Sequence, residues 1–320
     1  MNGTGRPAVA SDAPPPGNAV TMSLIITVVD GHDVLRGMLD ALRRQVGAPP
    51  LRILAPYDDS RPDIGALAPE YPEVEFFSIG SVATGHPIDS AGGQHELFDR
   101  RRAAGLKCAD GDLVAILEDR APARPDWCAT MARLHRELPH AVIGGAIECA
   151  STDTLNWAFH ACDFSRYAPP FEAGPREWVS DVNVCYKRRA LEMTRDLWHT
   201  RFHEPEVHWR LMQLGETLYL TPEAVVDYTT PYRSLTGVLP ERFQWGRLFG
   251  YIRARNVSPL ARLKFIAAGP LLPLVLFKRH AGAQARRGQS ARFWRAAPVI
   301  LPLLMAWSAG EVWGYITRRG

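Results

Sequence analysis

Two carboxylates that end an apolar run are the residues with the clearest chemistry to offer. Gly111-Asp112 opens the run, Leu113-Val114-Ala115-Ile116-Leu117 fills it, and Glu118-Asp119 closes it. A continuous apolar stretch of this length between turn residues suits a strand covered on both faces. Buried parallel strands present their functional groups at their carboxyl ends. Glu118 and Asp119 are thus placed to hold a cation, a sugar hydroxyl or a ribose, or else to cap the next turn. Asp30 and Asp58 follow two further apolar runs, residues 23–29 and 51–55. There they would accept hydrogen bonds from a base and a ribose, with Asp59 the alternate for Asp58. Each is equally a residue that makes turns.

A second acidic pair, Glu204 and Glu206, flanks Pro205. Proline favours the first turn of a helix, which puts both acids at a helix N-terminus, where the backbone dipole attracts them in any case. Nearby His203 and His208 are five residues apart. On a helix they would diverge by about 140°, whereas a zinc-binding H-E-x-x-H pair needs a spacing of four. The five cysteines are scattered and form no C-x-x-C pair, which argues against a structural zinc site and a disulfide framework. A reducing compartment is the simpler reading. Arg100-Arg101-Arg102 offers a cation to a nucleotide, or a solvated helix face.

These residues need a scaffold. Strand patterns at 23–29, 51–55, 74–79, 113–117 and 141–147 alternate with helical spacing at 34–46, 95–109 and 127–138, the signature of an α/β fold with a mostly parallel sheet flanked by helices. A short helix is expected over 203–215 and a strand over 217–220. Residues 151–178 show no clear period. The first 21 residues, rich in Pro, Gly and Ala, read as a disordered tail. The main domain is expected over 22–240 and a basic, apolar helical appendage over 241–320.

Charge divides the chain in the same place. Residues 241–320 carry 14 Lys/Arg against two Glu, and the preceding 240 residues carry a net −9. Such asymmetry points to an anionic surface as partner. Residues 265–277 and 296–316 are apolar but interrupted by Pro270, Pro273, Pro298, Pro302 and Glu311. Basic residues flank both runs on every side. A helical hairpin lying in the cytoplasmic leaflet satisfies the positive-inside rule better than two full spans. A pair of helices packed on the main domain is the plainer alternative. No G-x-G-x-x-G follows the first strand, which argues against a dinucleotide oxidoreductase. The basic residues interleave with broken apolar segments, not a groove-reading motif, so nucleic acid is not an expected partner.

In order and spacing these landmarks resemble the inverting family 2 glycosyltransferases of the GT-A fold, over about residues 23–228. The segments that carry the likeness are S-L-I-I-T-V-V-D, R-I-L-A-P-Y-D-D-S, R-R-R-A-A-G-L-K-C-A-D-G-D-L-V-A-I-L-E-D-R, P-D-W, S-D-V-N-V-C-Y-K-R-R-A-L and F-H-E-P-E-V-H-W-R-L. The resemblance implies a nucleotide-sugar donor and a lipid-linked or glycan acceptor. It implies Glu204 as the general base, with Glu206 the competitor, and a membrane-associated tail at the cytoplasmic face. It implies a nucleotide site formed by Asp30, Asp58 or Asp59, Arg102, Glu118, Asp119 and Arg120. Gln244 and Arg247, in E-R-F-Q-W-G-R-L-F, would close over the diphosphate. The family's metal-binding second carboxylate is Arg120 here, which leaves Asp119 to hold any Mg²⁺ or Mn²⁺. The family's early Pro is Thr27. A catalytically inactive sugar-nucleotide-binding or scaffold subunit of an envelope-polysaccharide assembly is the competing expectation, favoured by Arg120.

Overall fold

The computed structural model describes residues 20–319. Most of the expected N-terminal tail lies outside these residues. Thr21, at its end, is held: its N–H and Oγ1 donate to the Asp112 carboxylate at 3.0 and 2.9 Å.

Eight strands form one sheet: β1 (Met22–Thr27), β2 (Leu51–Tyr57), β3 (Val74–Ser78), β4 (Leu113–Glu118), β5 (Val142–Cys149), β6 (Gly174–Arg176), β7 (Asn183–Lys187) and β8 (Leu218–Tyr228). Their order is β3-β2-β1-β4-β7-β5-β8-β6. Strands β1 to β4 are parallel, as are β5 and β8; β7 and β6 run against their neighbours. The chain crosses from β1 to β2 on one side, and β4 pairs with β1 on the other. The carboxyl ends of β1 and β4 therefore flank a topological switch point, the place where open α/β sheets form crevices. Every residue of β1 and β4 is buried, which is why both read as unbroken apolar runs.

Helices α1 (His32–Arg43), α2 (Ala91–Cys108), α3 (Trp127–Glu137) and α4 (Thr154–Phe164) cover the sheet. Short helices α5 (Arg188–Glu192) and α6 (Arg195–Trp198) lead to α7 (Glu204–Gln213). In α1 the buried residues are Leu35, Met38, Leu39, Ala41 and Leu42, close to the expected stripe. The region without a period hides α4, whose residues from Asn156 to Cys162 are all buried. A helix enclosed on all sides has no polar face to reveal its turn. Strand β8 also runs eight residues beyond its expected end. Its pairing with β5 shifts register between Gly144 and Ala146. A β-carbon on Gly145 would sit 2.1 Å from the Ala224 carbonyl oxygen. Buried Asn183 fixes this irregularity: its Nδ2 donates to the Ala146 and Ala224 carbonyls, and its Oδ1 accepts from Trp127 Nε1 at 2.8 Å.

The tail forms α8 (Leu235–Arg255), α9 (Pro259–Ala268), α10 (Leu272–Arg286) and α11 (Ser290–Thr317). Helix α8 runs continuously through residue 241, the expected boundary. Its Gly246 and Gly250 meet Gly310 and Gly314 of α11 so closely that β-carbons there would lie 2.0–2.2 Å from carbonyl oxygens of the opposing helix. Small residues four apart on both helices allow this approach, and Phe293, Ala296, Ile300, Leu303 and Leu304 of α11 join the main core. The first tail segment differs. Pro259–Arg286 and Ser290–Thr317 are each long and apolar enough to cross a bilayer, but only 6% of the first window is buried, against 44% of the second. So α11 buries one side in the core and still exposes Trp294, Met305 and Trp313, whereas α9 and α10 are mostly open and expose Leu260, Leu263, Leu274 and Val275.

Gly250→Leu should lower thermal stability by about 1–3 kcal/mol through overpacking. Gly37→Ala, on the open side of α1 with nothing within 4 Å of the new carbon, should raise it by about 0.5–1 kcal/mol. Thermal melts of both variants check this; an unchanged melt for Gly250→Leu would mean α8 and α11 are not tightly docked.

Candidate active site

Arg102 is the centre of the site. Its guanidinium is almost fully buried, contacts Glu118 at 2.8 Å, Asp181 at 3.1 Å and Asp99 at 3.5 Å, and donates from Nε to Thr27 Oγ1 at 3.0 Å. The residue at the resembled family's proline position thus serves this arginine. Burial opposes the charge, but Asp181, Glu118 and Asp99 outweigh it and raise the Arg102 pKa. One cation cannot neutralise three carboxylates. Burial pushes both Glu118 and Asp181 above the ordinary carboxylate range. Arg101 is buried as well, donating to Asp58 at 2.6 Å and to the Val28 carbonyl. Two of the three consecutive arginines therefore face inward; they are not a solvated face. Burial works against ionised Asp58, yet Ser60 and Arg101 together lower its pKa. Asp59 is exposed.

Asp119 stands between strand ends. Its Oδ2 accepts the backbone N–H groups of Val29, Asp30 and Gly31 at 2.9, 3.0 and 3.1 Å. Its Oδ1 is buried with no hydrogen-bond partner. Burial first, and the Asp30 charge second, push its pKa up to about 7. Arg120 grips Asp30 with two bonds of 2.6 Å, reaches Tyr232 Oη at 3.3 Å, and lies 3.7 Å from Glu241 of α8. Tyr232 in turn donates to Glu241 at 2.5 Å. The basic substitution in the acidic signature is thus a clasp between a strand end and the tail.

A Mg²⁺ or Mn²⁺ bound together with a diphosphate needs only one or two carboxylates, because phosphate oxygens and water complete its shell. Asp119 spends one oxygen on three amides, Glu118 is held by Arg102, and Asp30 by Arg120. Among the described residues no group of three or more His, Cys, Asp or Glu is arranged to hold a metal. Asp119 Oδ1, buried and without a hydrogen-bond partner, is the oxygen left for such an ion.

Glu204 opens α7. Its Oε2 accepts the Asp181 N–H at 3.2 Å, and its Oε1 lies 3.5 Å from His208 Nδ1. His203, just before it, sits 3.1 Å from Asp99; burial opposes its charge, but Asp99 raises its pKa. Glu206 instead pairs with Arg255 of α8 at 3.2 Å. Glu204, Asp181, Asp99 and Arg102 line a cavity of about 450 Å³ that is roofed by α8, α10 and α11. Glu206 does not line it. Gln244 Oε1 accepts from Arg247 Nε at 2.7 Å, and both line a smaller cleft of about 30 Å³ beside His95 and His203. Trp245 packs on His95 at 3.9 Å between centroids, joining α8 to α2.

Sequence reasoning brought Glu118, Arg102 and Glu204 to one place. It kept Glu206 as the competitor of Glu204, and the structure sets the two apart: Glu206 pairs with Arg255 outside the cavity. It did not single out Asp99, Asp181, Tyr232 or Glu241. The i, i+3 spacing of Asp99 and Arg102, and the acid in S-D-V-N-V, were the available signals.

No protein-family model matches this chain, and no curated protein matches it in sequence. Its fold is similar to that of the mannosyltransferase PcManGT from Pyrobaculum calidifontis in complex with GDP-Man and Mn²⁺. The TM-score is 0.51 at 15% identity, covering 94% of this chain and 90% of that one. The chain has the fold of a glycosyltransferase. At such identity the likeness is one of architecture, and the tail is included in it.

The Asp119 pKa sets a pH signature. A carboxyl raised from 3.8 to about 7 binds its proton more tightly folded than unfolded. Stability from this group is therefore fullest below about pH 4 and is lost as pH rises towards 7. Asp119→Asn should gain on wild type as pH rises from 5 to 7.5 in parallel melts. A constant difference between the two would mean that Asp119 is ionised throughout.

Proposed function

We propose that this protein is a membrane-associated, inverting glycosyltransferase of the GT-A type, with a nucleotide-diphosphate sugar as donor and a lipid-linked or glycan hydroxyl as acceptor. The observation that carries the reading is the place of Glu204: a carboxylate on the wall of a 450 Å³ cavity, between the sheet's switch-point edge and the tail helices. The shared fold with a nucleotide-sugar enzyme supports it.

In this reading the donor lies across the ends of β1 and β4, near Asp30, Asp58 and Asp119. The acceptor enters the cavity. Glu204 takes the proton of the acceptor hydroxyl as its oxygen bonds to the anomeric carbon. The bond from that carbon to the diphosphate breaks on the opposite face, and the nucleoside diphosphate leaves. Single displacement gives inversion. Asp181 positions Glu204 through its backbone N–H, and Arg102 holds Asp181. No step is assigned to a metal ion. The exposed apolar faces of α9 and α10, with basic residues around them, would rest on the cytoplasmic leaflet.

A sugar-nucleotide-binding scaffold is the second reading. The bidentate Arg120–Asp30 pair favours it, because it occupies a carboxylate that a donor would otherwise meet.

Glu204→Gln should cut transfer by about 10²–10⁴-fold while nucleoside-diphosphate binding survives, with or without added Mn²⁺. Glu206→Gln should stay near wild type. The reverse pattern would move the base to Glu206, and an inactive wild type that still binds nucleotide would favour the scaffold.

Replacing Leu271, Leu274 and Val275, each 60–63% exposed, by Gln should move the protein from the membrane to the soluble fraction without lowering its melting temperature. Unchanged fractionation would place membrane contact elsewhere.

A further inference from the structure

His208 follows Glu204 by one turn of α7, so the two side chains share a helix face. His208 is buried, as is Tyr186 of β7 beside it. His208 Nε2 lies 2.8 Å from Tyr186 Oη, and His208 Nδ1 lies 3.5 Å from Glu204 Oε1. The second distance is longer than a finished hydrogen bond, and Nδ1 is enclosed without a partner. Hydrogen bonds to a catalytic group are often long before substrate binds and tighten in the reactive complex.

Chemistry orders the protons along this line. Burial first, and the Glu204 charge second, hold the Tyr186 hydroxyl far above its ordinary range, so it keeps its proton. A buried hydroxyl needs an acceptor for that proton, and Nε2 stands at 2.8 Å. A neutral imidazole whose Nε2 accepts carries its one proton on Nδ1. Nδ1–H then faces Oε1, while Oε2 takes the Asp181 N–H at 3.2 Å. The opposite tautomer would set a lone pair against a carboxylate and take from Tyr186 its acceptor.

We infer that His208 is a positioning residue for Glu204: Tyr186 fixes the ring proton on Nδ1, and Nδ1–H is donated to Oε1 when the acceptor hydroxyl is engaged. The carboxylate is then held at both oxygens, by an amide and by the imidazole. A hydrogen bond donated to the ionised form favours that form, which is the form a base needs. The role of base comes from the transferase reading; the tautomer does not depend on it. The other charged and titratable groups around this line are Arg102 and Asp99 of α2, Glu118 of β4, Asp181 before β7, Cys185 within it, His203 before α7 and Tyr167 after α4. All of them remain in the variants tested, so their effects are common to every profile.

Two measurements on the full-length protein in neutral detergent test this. Nitrogen NMR of protein labelled in its histidines reads the ring state, with His208 assigned by the signals that vanish in His208→Gln. At neutral pH the proton is expected on Nδ1 and a lone pair on Nε2. A proton on Nε2, or on both nitrogens, overturns the inference, and this measurement needs no substrate. Transfer is then followed against pH. His208→Gln, whose amide reaches the Nε2 position and not the Nδ1 one, should lower kcat about tenfold and move the acidic limb of kcat/KM up by about one pH unit. Nucleoside-diphosphate binding should not change. His208→Asn, whose amide falls near the Nδ1 position, should restore most of both losses. Tyr186→Phe, which frees the tautomer, should move the limb in the same direction as His208→Gln. A limb that stays in place in His208→Gln overturns the inference, because a packing role would lower activity and melting temperature without shifting it. So does His208→Asn if it performs no better than His208→Gln. Wild-type protein that transfers no sugar, with the expected tautomer in place, would remove the transferase reading and leave the Tyr186–His208–Glu204 line standing.

Discussion

A single guanidinium, that of Arg102, holds the ends of three separate segments together. It reaches Glu118 at the end of β4, Thr27 at the end of β1 and Asp181 in the turn before β7. A buried cation of this kind is tolerable only because carboxylates surround it; without them its desolvation would cost several kcal/mol. The reverse also holds. Glu118, Asp99 and Asp181 could not share one enclosed space without a cation among them. Asp181 passes the arrangement on to Glu204 through its backbone N–H. The placement of the candidate base thus depends on a charge located on a different helix, buried beneath the site.

Around this centre the chain repeatedly uses arginine where an acid-rich nucleotide site would use a metal or water. Arg101 closes on Asp58, Arg102 on Glu118, and Arg120 on Asp30. These pairs tie strand ends to a helix and to one another. Arg120 goes further, joining Asp30 to Tyr232 and Glu241, so the first turns of α8 and the switch-point edge are parts of one polar network. Below it, Trp245 on His95 and the glycine contacts between α8 and α11 continue the same docking. The tail helices are thus the roof of the cavity.

Much of this was readable before the structure. The buried strands β1 and β4 announce themselves because both their faces are covered and every residue must be apolar. Helix α1 announces itself because only one side is covered. The helix start at Glu204 follows from its proline neighbour, while the choice of Glu204 over Glu206 came from the resemblance of the surrounding segment. Other elements were invisible for equally physical reasons. Helix α4 lies between the sheet and the tail and has no polar side. Strand β8 continues past Pro222 because a register shift absorbs the irregularity, and a bulge has no periodic trace. The inward turn of Arg101 and Arg102 was hard to see, since apart from Asp99 their carboxylate partners come from 16 to 79 residues away in sequence. Pattern alone did not separate the two apolar stretches of similar length: α11 is buried more because it has glycines where it must approach α8, whereas α9 and α10 leave most of their apolar surface open.

The contribution of α11 to the core has a consequence for how the chain comes into being. Phe293, Ile300, Leu303 and Leu304 pack with residues of the first strand and helices into one cluster. They lie far beyond the last strand of the sheet in sequence. The α/β portion can collect its strands during synthesis, but part of its apolar surface stays uncovered until α11 emerges and docks. Until then the nascent chain carries an open hydrophobic face beside the apolar α9–α10 stretch already made.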